Sequence, residues 1–242
     1  MVQAYKEDLA YIHHTGFAGF INEATPGLFK ILGDKNITGG LIIDLGCGSG
    51  IFAKALTDAG YEALGIDISA AMIALAKRTA PRATFKKASL LKTKLPPCAA
   101  VTCVSEGLNY LFDEHGKAER LNLFKRIYEA LAPGGVFVFD VLGPGSLTGA
   151  NPQRTYTEGK GWMVCVEKEE DSEANQLTRR ITTFRKVGNH WRRSDETHRI
   201  HLFAPGDLAD ELRQAGFQVK IIRAYGELKF RKGLNGFIAR KK

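Results

Sequence analysis

Cysteine is scarce and unpatterned: Cys47, Cys98, Cys103 and Cys165 are the only four in 242 residues, with no C-x-x-C pair and no Cys/His cluster. Neither a zinc site nor a disulfide framework is encoded, no metal ligand set is expected, and a reducing cytoplasm is the natural setting. Long apolar runs are missing as well. Nowhere do the roughly 18 uninterrupted apolar residues of a spanning helix occur, and the opening Met-Val-Gln-Ala-Tyr-Lys-Glu-Asp lacks the basic-then-apolar pattern of a secretory leader. Neither membrane insertion nor secretion is expected. Repeats and low-complexity tracts are absent too, and a composition 44% hydrophobic and 25% charged excludes disorder and collagen.

Charge of one sign is in excess: 34 Lys plus Arg against 26 Asp plus Glu give +8, which raises the question of a nucleic-acid partner. Its location answers much of it. Residues 1–40 carry −1, residues 41–150 carry +2, and residues 151–242 carry +7. RNA binding asks for basic residues interleaved with exposed aromatics along one continuous surface. Here Glu167, Glu169, Glu170, Asp171 and Glu173, then Asp195 and Glu196, interrupt the basic residues. A nucleic-acid partner is therefore not expected.

From residue 41 to 142, short apolar runs alternate with helical patterns: strands at 41–45, 63–68, 83–86, 100–105 and 136–141, helices after the first, second and fourth. This alternation predicts an α/β, doubly wound, mostly parallel sheet. From Gly161 the texture changes. The runs 161–168, 177–187 and 190–202 are β-type without intervening helices, with Gly188-Asn189 as a hairpin signal, and predict a three-stranded antiparallel insertion. A helix over 205–215, an apolar run over 217–225 and a last strand over 234–239 complete the pattern. The chain reads as a single domain: a helical segment over 1–40, a core over 41–150, the insertion over 155–203, and a closing helix and strands over 204–242.

Gly46-Cys47-Gly48-Ser49-Gly50 follows the first strand and opens a helix, the context in which a glycine-rich loop approaches a ligand. Two nucleotide-binding readings compete. The dinucleotide fingerprint G-x-G-x-x-G/A fails from Gly46 but is met from Gly48 through Gly50 to Ala53, which leaves Asp44 unexplained. The full string Asp44-Leu45-Gly46-Cys47-Gly48-Ser49-Gly50 instead resembles motif I of the class I S-adenosylmethionine-dependent methyltransferases. Asp67, at the second strand's end, suits a ribose with either cofactor. Leu131-Ala132-Pro133-Gly134-Gly135 matches that family's L-x-P-G-G turn, and Ala88-Ser89-Leu90 occupies the place of its adenine-contacting segment, with Ser89 where an Asp is usual.

The resemblance, to the bacterial small-molecule type, covers residues 41–142 in order. It implies a seven-stranded Rossmann-like sheet ending in an antiparallel hairpin, and S-adenosyl-L-methionine as cofactor. Donor contacts are implied from Asp44, Gly46, Cys47, Gly48, Gly50, Asp67, Ile68, Met72, Ser89, Leu90, Ser105 and Glu106. The segment ahead of the first strand, 8–32, is expected as a lid, and His13 or His14 as a base near neutral pH, with surface histidines as the plain alternative.

In an open parallel sheet the ligand lies at the carboxyl ends of the strands, which points to Ser105 through Tyr110. Glu106 is a candidate catalytic residue, and Asn109 and Tyr110 are candidates for touching the acceptor. Adenine amino-methyltransferases carry N/D-P-P-Y/F here, whereas this chain reads Ser105-Glu106-Gly107-Leu108; Pro97-Cys98 lies before the fourth strand, where a cytosine-C5 nucleophile would not be. On the insertion, Arg180, Arg199 and His201 could form a cationic patch for an acidic small molecule, or simply decorate a solvated face. The expected activity is methyl transfer to nitrogen or oxygen of a small-molecule acceptor. An RNA or protein methyltransferase, an NAD(P)-dependent oxidoreductase and a cofactor-binding protein without turnover remain as rivals, and the oligomeric state is open.

Overall fold

The computed structural model describes residues 5–110 and 116–242. In chain order the elements are helices α1 (Glu7–Gly16) and α2 (Gly19–Gly33), strand β1 (Leu41–Leu45), α3 (Ile51–Asp58), β2 (Glu62–Asp67), α4 (Ala70–Thr79), β3 (Thr84–Lys87) and β4 (Cys98–Cys103). A 3-10 turn (Gly107–Tyr110) leads on to α5 (Gly116–Ala130) and β5 (Leu131–Leu142). Four long strands follow, β6 (Gln153–Gly159), β7 (Trp162–Asp171), β8 (Gln176–Val187) and β9 (His190–His201). The chain closes with α6 (Pro205–Gln214), β10 (Gln218–Ile222), the two-residue strands β11 (Ala224–Tyr225) and β12 (Leu228–Lys229), and β13 (Leu234–Arg240).

One sheet runs β10-β13-β5-β4-β1-β2-β3, parallel from β3 to β5 and antiparallel where β13 meets β5 and β10 meets β13. This is the seven-stranded, mostly parallel sheet with a terminal hairpin that the alternation and the resemblance predict. Its central strands are apolar almost throughout because helices cover both faces. On one face Phe124, Ile127, Leu208 and Leu212 pack against Phe137 and Phe139; on the other Leu28, Leu32, Phe52 and Leu56 pack against Ile42 and Val138. Strand order reverses between β1 and β4, and the loops after these two strands therefore diverge and leave a crevice at their carboxyl ends.

Two expectations need correction. The insertion has four strands, in the order β6-β7-β8-β9, not three. The unforeseen strand, β6, is an edge strand exposed along nearly its whole length, so no face of it carries the apolar alternation by which a strand is recognised. The single helical lead-in over 8–32 is two helices. Gly16 ends α1 where the Trp162 ring lies against it, and a Cβ there would come within 2.5 Å of the indole. α1 thus rests on the insertion: Leu9 and Ile12 share a small core with Trp162, Val164 and Ile181.

Candidate active site

The glycine loop between β1 and α3 is shaped by left-handed backbone. Gly46, Gly48 and Gly50 have φ of 66°, 52° and 78°, a region that L side chains rarely adopt. A Cβ on Gly50 would strike Ala76 of α4 at 2.9 Å, whereas one on Gly48 would meet nothing within 4 Å. The first glycine therefore packs the loop down and the second faces open space. Asp67, at the end of β2, ties the loop to the next helix: its carboxylate accepts from Gly48 N–H at 2.9 Å and from Ser69 N–H at 2.8 Å. Two such bonds leave further lone pairs free on the same oxygens. Beside it Ile68 is 51% exposed, an unusual amount for a large apolar side chain at a strand end. Ser69 caps α4 by accepting from Met72 N–H, and Met72 itself is buried.

Asp44 lies below the loop, buried, accepting from the Thr102 hydroxyl at 2.8 Å. Burial raises its carboxyl to about 7 against the opposing pull of that hydrogen bond. Cys47 is also buried, and burial pushes its thiol far above the ordinary value, so it is no nucleophile.

Past β4 the backbone is strained. Ser105 and Glu106 are consecutive non-glycine residues at φ 66° and 65°, a conformation that persists only when its surroundings hold it. Asp140 of β5 holds it: its two carboxylate oxygens accept from Ser105 N–H at 2.9 Å and Glu106 N–H at 2.7 Å, and the Tyr225 hydroxyl donates to it at 3.0 Å. The result aims the Glu106 side chain between the insertion and the loop before β13, where Arg179 of the first and Arg231 of the second donate to its two oxygens at 2.6 and 2.5 Å. Burial would raise the Glu106 carboxyl, but the two guanidiniums outweigh it and hold it below the ordinary glutamate range. Glu106, the candidate catalytic residue, is thus an anion held by two arginines, a state in which it can position neighbours and stabilise charge.

Inward from the four-stranded sheet come the residues that the sequence reading missed. His198 and Glu196 of β9 are buried, with His198 Nε2 and Glu196 Oε2 2.9 Å apart. His198 Nδ1 lies 3.3 Å from the Tyr110 hydroxyl, which lies 3.3 Å from that of Tyr5. The far oxygen of Glu196 accepts from Lys6 N–H at 2.9 Å. Glu196, His198, Tyr110 and Tyr5 form one hydrogen-bonded chain, and with Glu196 accepting from Nε2–H, Nδ1 is left to accept from Tyr110. By contrast Arg180 and Arg199 are exposed on the opposite face, Arg180 paired with Glu167 and Glu169. The expected cationic patch is corrected by one residue: strand alternation turns Arg179 inward and Arg180 outward. His201 packs its ring on Phe203.

The helix α1 closes over the loop. His14 Nδ1 is 2.9 Å from the Ser49 hydroxyl, and the Ser69 hydroxyl donates to Tyr5 O at 2.7 Å. Asp8, itself buried, latches the helix to the insertion through Arg192 Nε at 2.6 Å and Arg185 at 3.3 Å. His13 lies between the Tyr5 and Phe17 rings, and burial lowers its imidazole to about 4. At that value it is neutral but a weak base. Asn109 is fully buried and spends its amide on the backbone, donating to Leu142 O and His201 O and accepting from Leu142 N–H. It splices the strand ends together rather than facing an acceptor. Ser89 uses its hydroxyl to accept from Leu91 N–H, and Leu90 packs on the sheet core.

A cavity of about 500 Å³ opens among Leu41, Glu62, Leu64 and Thr84, at the amino ends of the strands and remote from all these groups. A second, of about 330 Å³, lies between the sheets beside Arg179 and Arg231. The second has the polar convergence expected of a site. Among the described residues no group of His, Cys, Asp and Glu is arranged to hold a metal, and no helix is long and apolar enough to cross a membrane.

Comparison with known proteins places this geometry in context. The family described as a methyltransferase domain matches residues 17–220. YqeM of Bacillus subtilis, a methyltransferase by name, is 25% identical over 197 residues, 76% of each chain. An S-adenosylmethionine-dependent methyltransferase from Clostridium acetobutylicum superposes with a TM-score of 0.82 at 17% identity, over 96% of this chain and 97% of that one. The sugar N-methyltransferase KedS8 of a Streptoalloteichus species gives 0.79 at 20% identity, over 100% of this chain and 95% of that one.

Proposed function

The chain belongs to the methyltransferase domain family, enzymes whose methyl donor is S-adenosylmethionine, and from that premise we propose that it methylates a nitrogen or oxygen of a small molecule held beneath the four-stranded sheet. The observation that carries this reading is the convergence, at one end of one sheet, of an open glycine loop, a strand-end carboxylate and a hydrogen-bonded Glu-His-Tyr chain roofed by α1 and β7–β9. The residues present fit the donor. Asp67 keeps lone pairs for two ribose hydroxyls, Ile68 offers an exposed apolar face to a base, the space above Gly48 accepts close approach, and Asp44 supplies an acid for an ammonium group.

When bound, the donor supplies a methyl group already activated by a positive sulfur, so the protein has mainly to align the nucleophile and exclude water. α1 and the insertion exclude water. Tyr110 takes the proton of the acceptor's N–H or O–H and passes its own to His198 Nδ1, while Glu196 stabilises the resulting imidazolium. The sign of each contact in that chain favours the transfer, since a buried imidazolium needs a paired carboxylate.

A small-molecule acceptor is favoured over RNA or protein because the site is roofed and the outer face of the insertion is neutralised piecemeal. Arg154, Arg180 and Arg193 pair there with Glu167, Glu169 and Asp195. On this proposal the chain divides into a lid (1–40), a donor core (41–150), an acceptor cover (155–203) and a closing segment (204–242), and a cytoplasmic setting is proposed from the scarce, unpatterned cysteines. Calorimetry tests it: S-adenosylhomocysteine binds and NADH does not. Binding of NADH without S-adenosylhomocysteine would overturn it.

A further inference from the structure

The cavity between the two sheets is cationic beyond anything the fold requires. Lys168 of β7 and Arg179 of β8 are register partners, directly opposite each other, and both line it; Arg231 and Lys232 line it from the loop before β13. Like charges facing each other across a strand pair are destabilising. Their closeness is visible in Lys168, whose ammonium is depressed by burial and by Arg179 and Arg231. Among the described residues the neutralising group is Glu106, which takes both arginines. Among the described residues neither Lys168 nor Lys232 has an ion pair there, and Arg179, with a side chain only 15% exposed, keeps a buried Nε–H without an acceptor. Glu170, bonded to the cavity-lining Ser146 and Leu147, is spent on that loop, accepting from Gly145 N–H, Leu147 N–H and the Ser146 hydroxyl.

Four cations against one carboxylate leave an excess of about three charges around a volume suited to part of a small molecule. We propose that this cavity seats a phosphate group carried by the acceptor. This deepens the methyl-transfer reading and rests on it. A phosphate brings ~−1.5 to −2 of charge and three acceptor oxygens, which matches the excess and the unused donors better than a second carboxylate would. Arg179 lines this cavity and also reaches Tyr110, so an acceptor anchored here by its anionic end would present its other end, with the nucleophile, to Tyr110. Such a group is a handle, remote from the reacting atom, whose binding energy aligns the reactants.

The test titrates inorganic phosphate, with acetate as the monoanion control, into the full chain with and without saturating S-adenosylhomocysteine. Phosphate is expected to bind and to raise the unfolding temperature, acetate to do neither. The double variant Lys168→Met, Lys232→Met should weaken phosphate at least tenfold with S-adenosylhomocysteine affinity unchanged, while the exposed pair Lys125→Met, Lys220→Met should leave both unchanged. Because Lys168 faces Arg179, the double variant should unfold at no lower a temperature than wild type without phosphate. Absence of phosphate binding, acetate binding equally well, or equal weakening by the control pair would overturn the proposal. Failure of S-adenosylhomocysteine to bind would instead defeat the donor assignment, and is read on the same samples.

Discussion

Asp67→Ala is the sharpest perturbation the site offers. In the fold its carboxylate accepts from Gly48 N–H and Ser69 N–H, so it shapes the glycine loop and the start of α4 at once, and has lone pairs left for a ribose. Charge-assisted hydrogen bonds contribute roughly 1.5 to 3 kcal/mol each. Losing two to a ribose therefore costs at least about 3 kcal/mol, on the order of a hundredfold in affinity. The two backbone N–H groups are less costly because water can replace the carboxylate at the loop surface, which limits the loss of folding stability to about 1 kcal/mol per bond. Asp67→Asn separates the two effects: it keeps an acceptor for one N–H but turns an amide donor toward the other and removes the charge. Calorimetric titration of S-adenosylhomocysteine, with thermal unfolding on the same samples, is the assay. Both variants should remain folded and bind more than tenfold more weakly, Ala more so than Asn. Affinity within threefold of wild type in a folded Asp67→Ala protein would refute the placement of the ribose.

Tyr110→Phe and His198→Gln should each cut turnover about a hundredfold, within the range usual for general acid–base groups, with S-adenosylhomocysteine affinity intact; equal turnover would break the relay. Asp8→Asn removes the latch between α1 and Arg185 and Arg192. Hydrogen exchange should then accelerate within Glu7–Gly16 while the seven-stranded sheet stays protected, and S-adenosylhomocysteine should dissociate several-fold faster; unchanged exchange in α1 would refute the latch. Asp44, raised by burial to about 7, binds its proton more tightly folded than unfolded. Wild type should therefore lose stability relative to Asp44→Asn as pH rises from about 4 to 7, by at most about 1.4 kcal/mol per pH unit, measured by urea unfolding. A difference that grows in wild type's favour over that window would contradict the burial of the acid.

Much of this was legible along the chain because it is local. The run Leu41–Leu45 followed by glycines, the acid Asp67 23 residues after Asp44 and the Pro133-Gly134-Gly135 turn are short-range patterns with direct backbone meanings, and the sheet they predict is present. The strand β6 escaped because an exposed edge strand carries no apolar period. That Arg179 and not Arg180 faces inward was hidden for a related reason. Alternation says that two neighbours face opposite ways but not which way is inward, and both faces of β8 carry an arginine. A signal was there on β9, where Glu196, His198 and Ile200 alternate with Thr197 and Arg199, and the buried face of that strand is the one that carries the relay.

The glycines and acids of the donor loop follow from residue type and spacing, since turning a backbone sharply and charging a strand end need only the residues themselves. Sequence alone therefore determined the sheet, its order of elements and the end of it at which the glycine loop and Asp67 meet. Folding decided the rest: that Asp140 props two residues into left-handed backbone, that Glu106 becomes a locked anion between Arg179 and Arg231, and that Tyr5, Tyr110, His198 and Glu196, spread from position 5 to position 198, make one chain of hydrogen bonds. Those pairings join groups distant in sequence through burial, and burial sets both their charge and their partners; no local pattern encodes it.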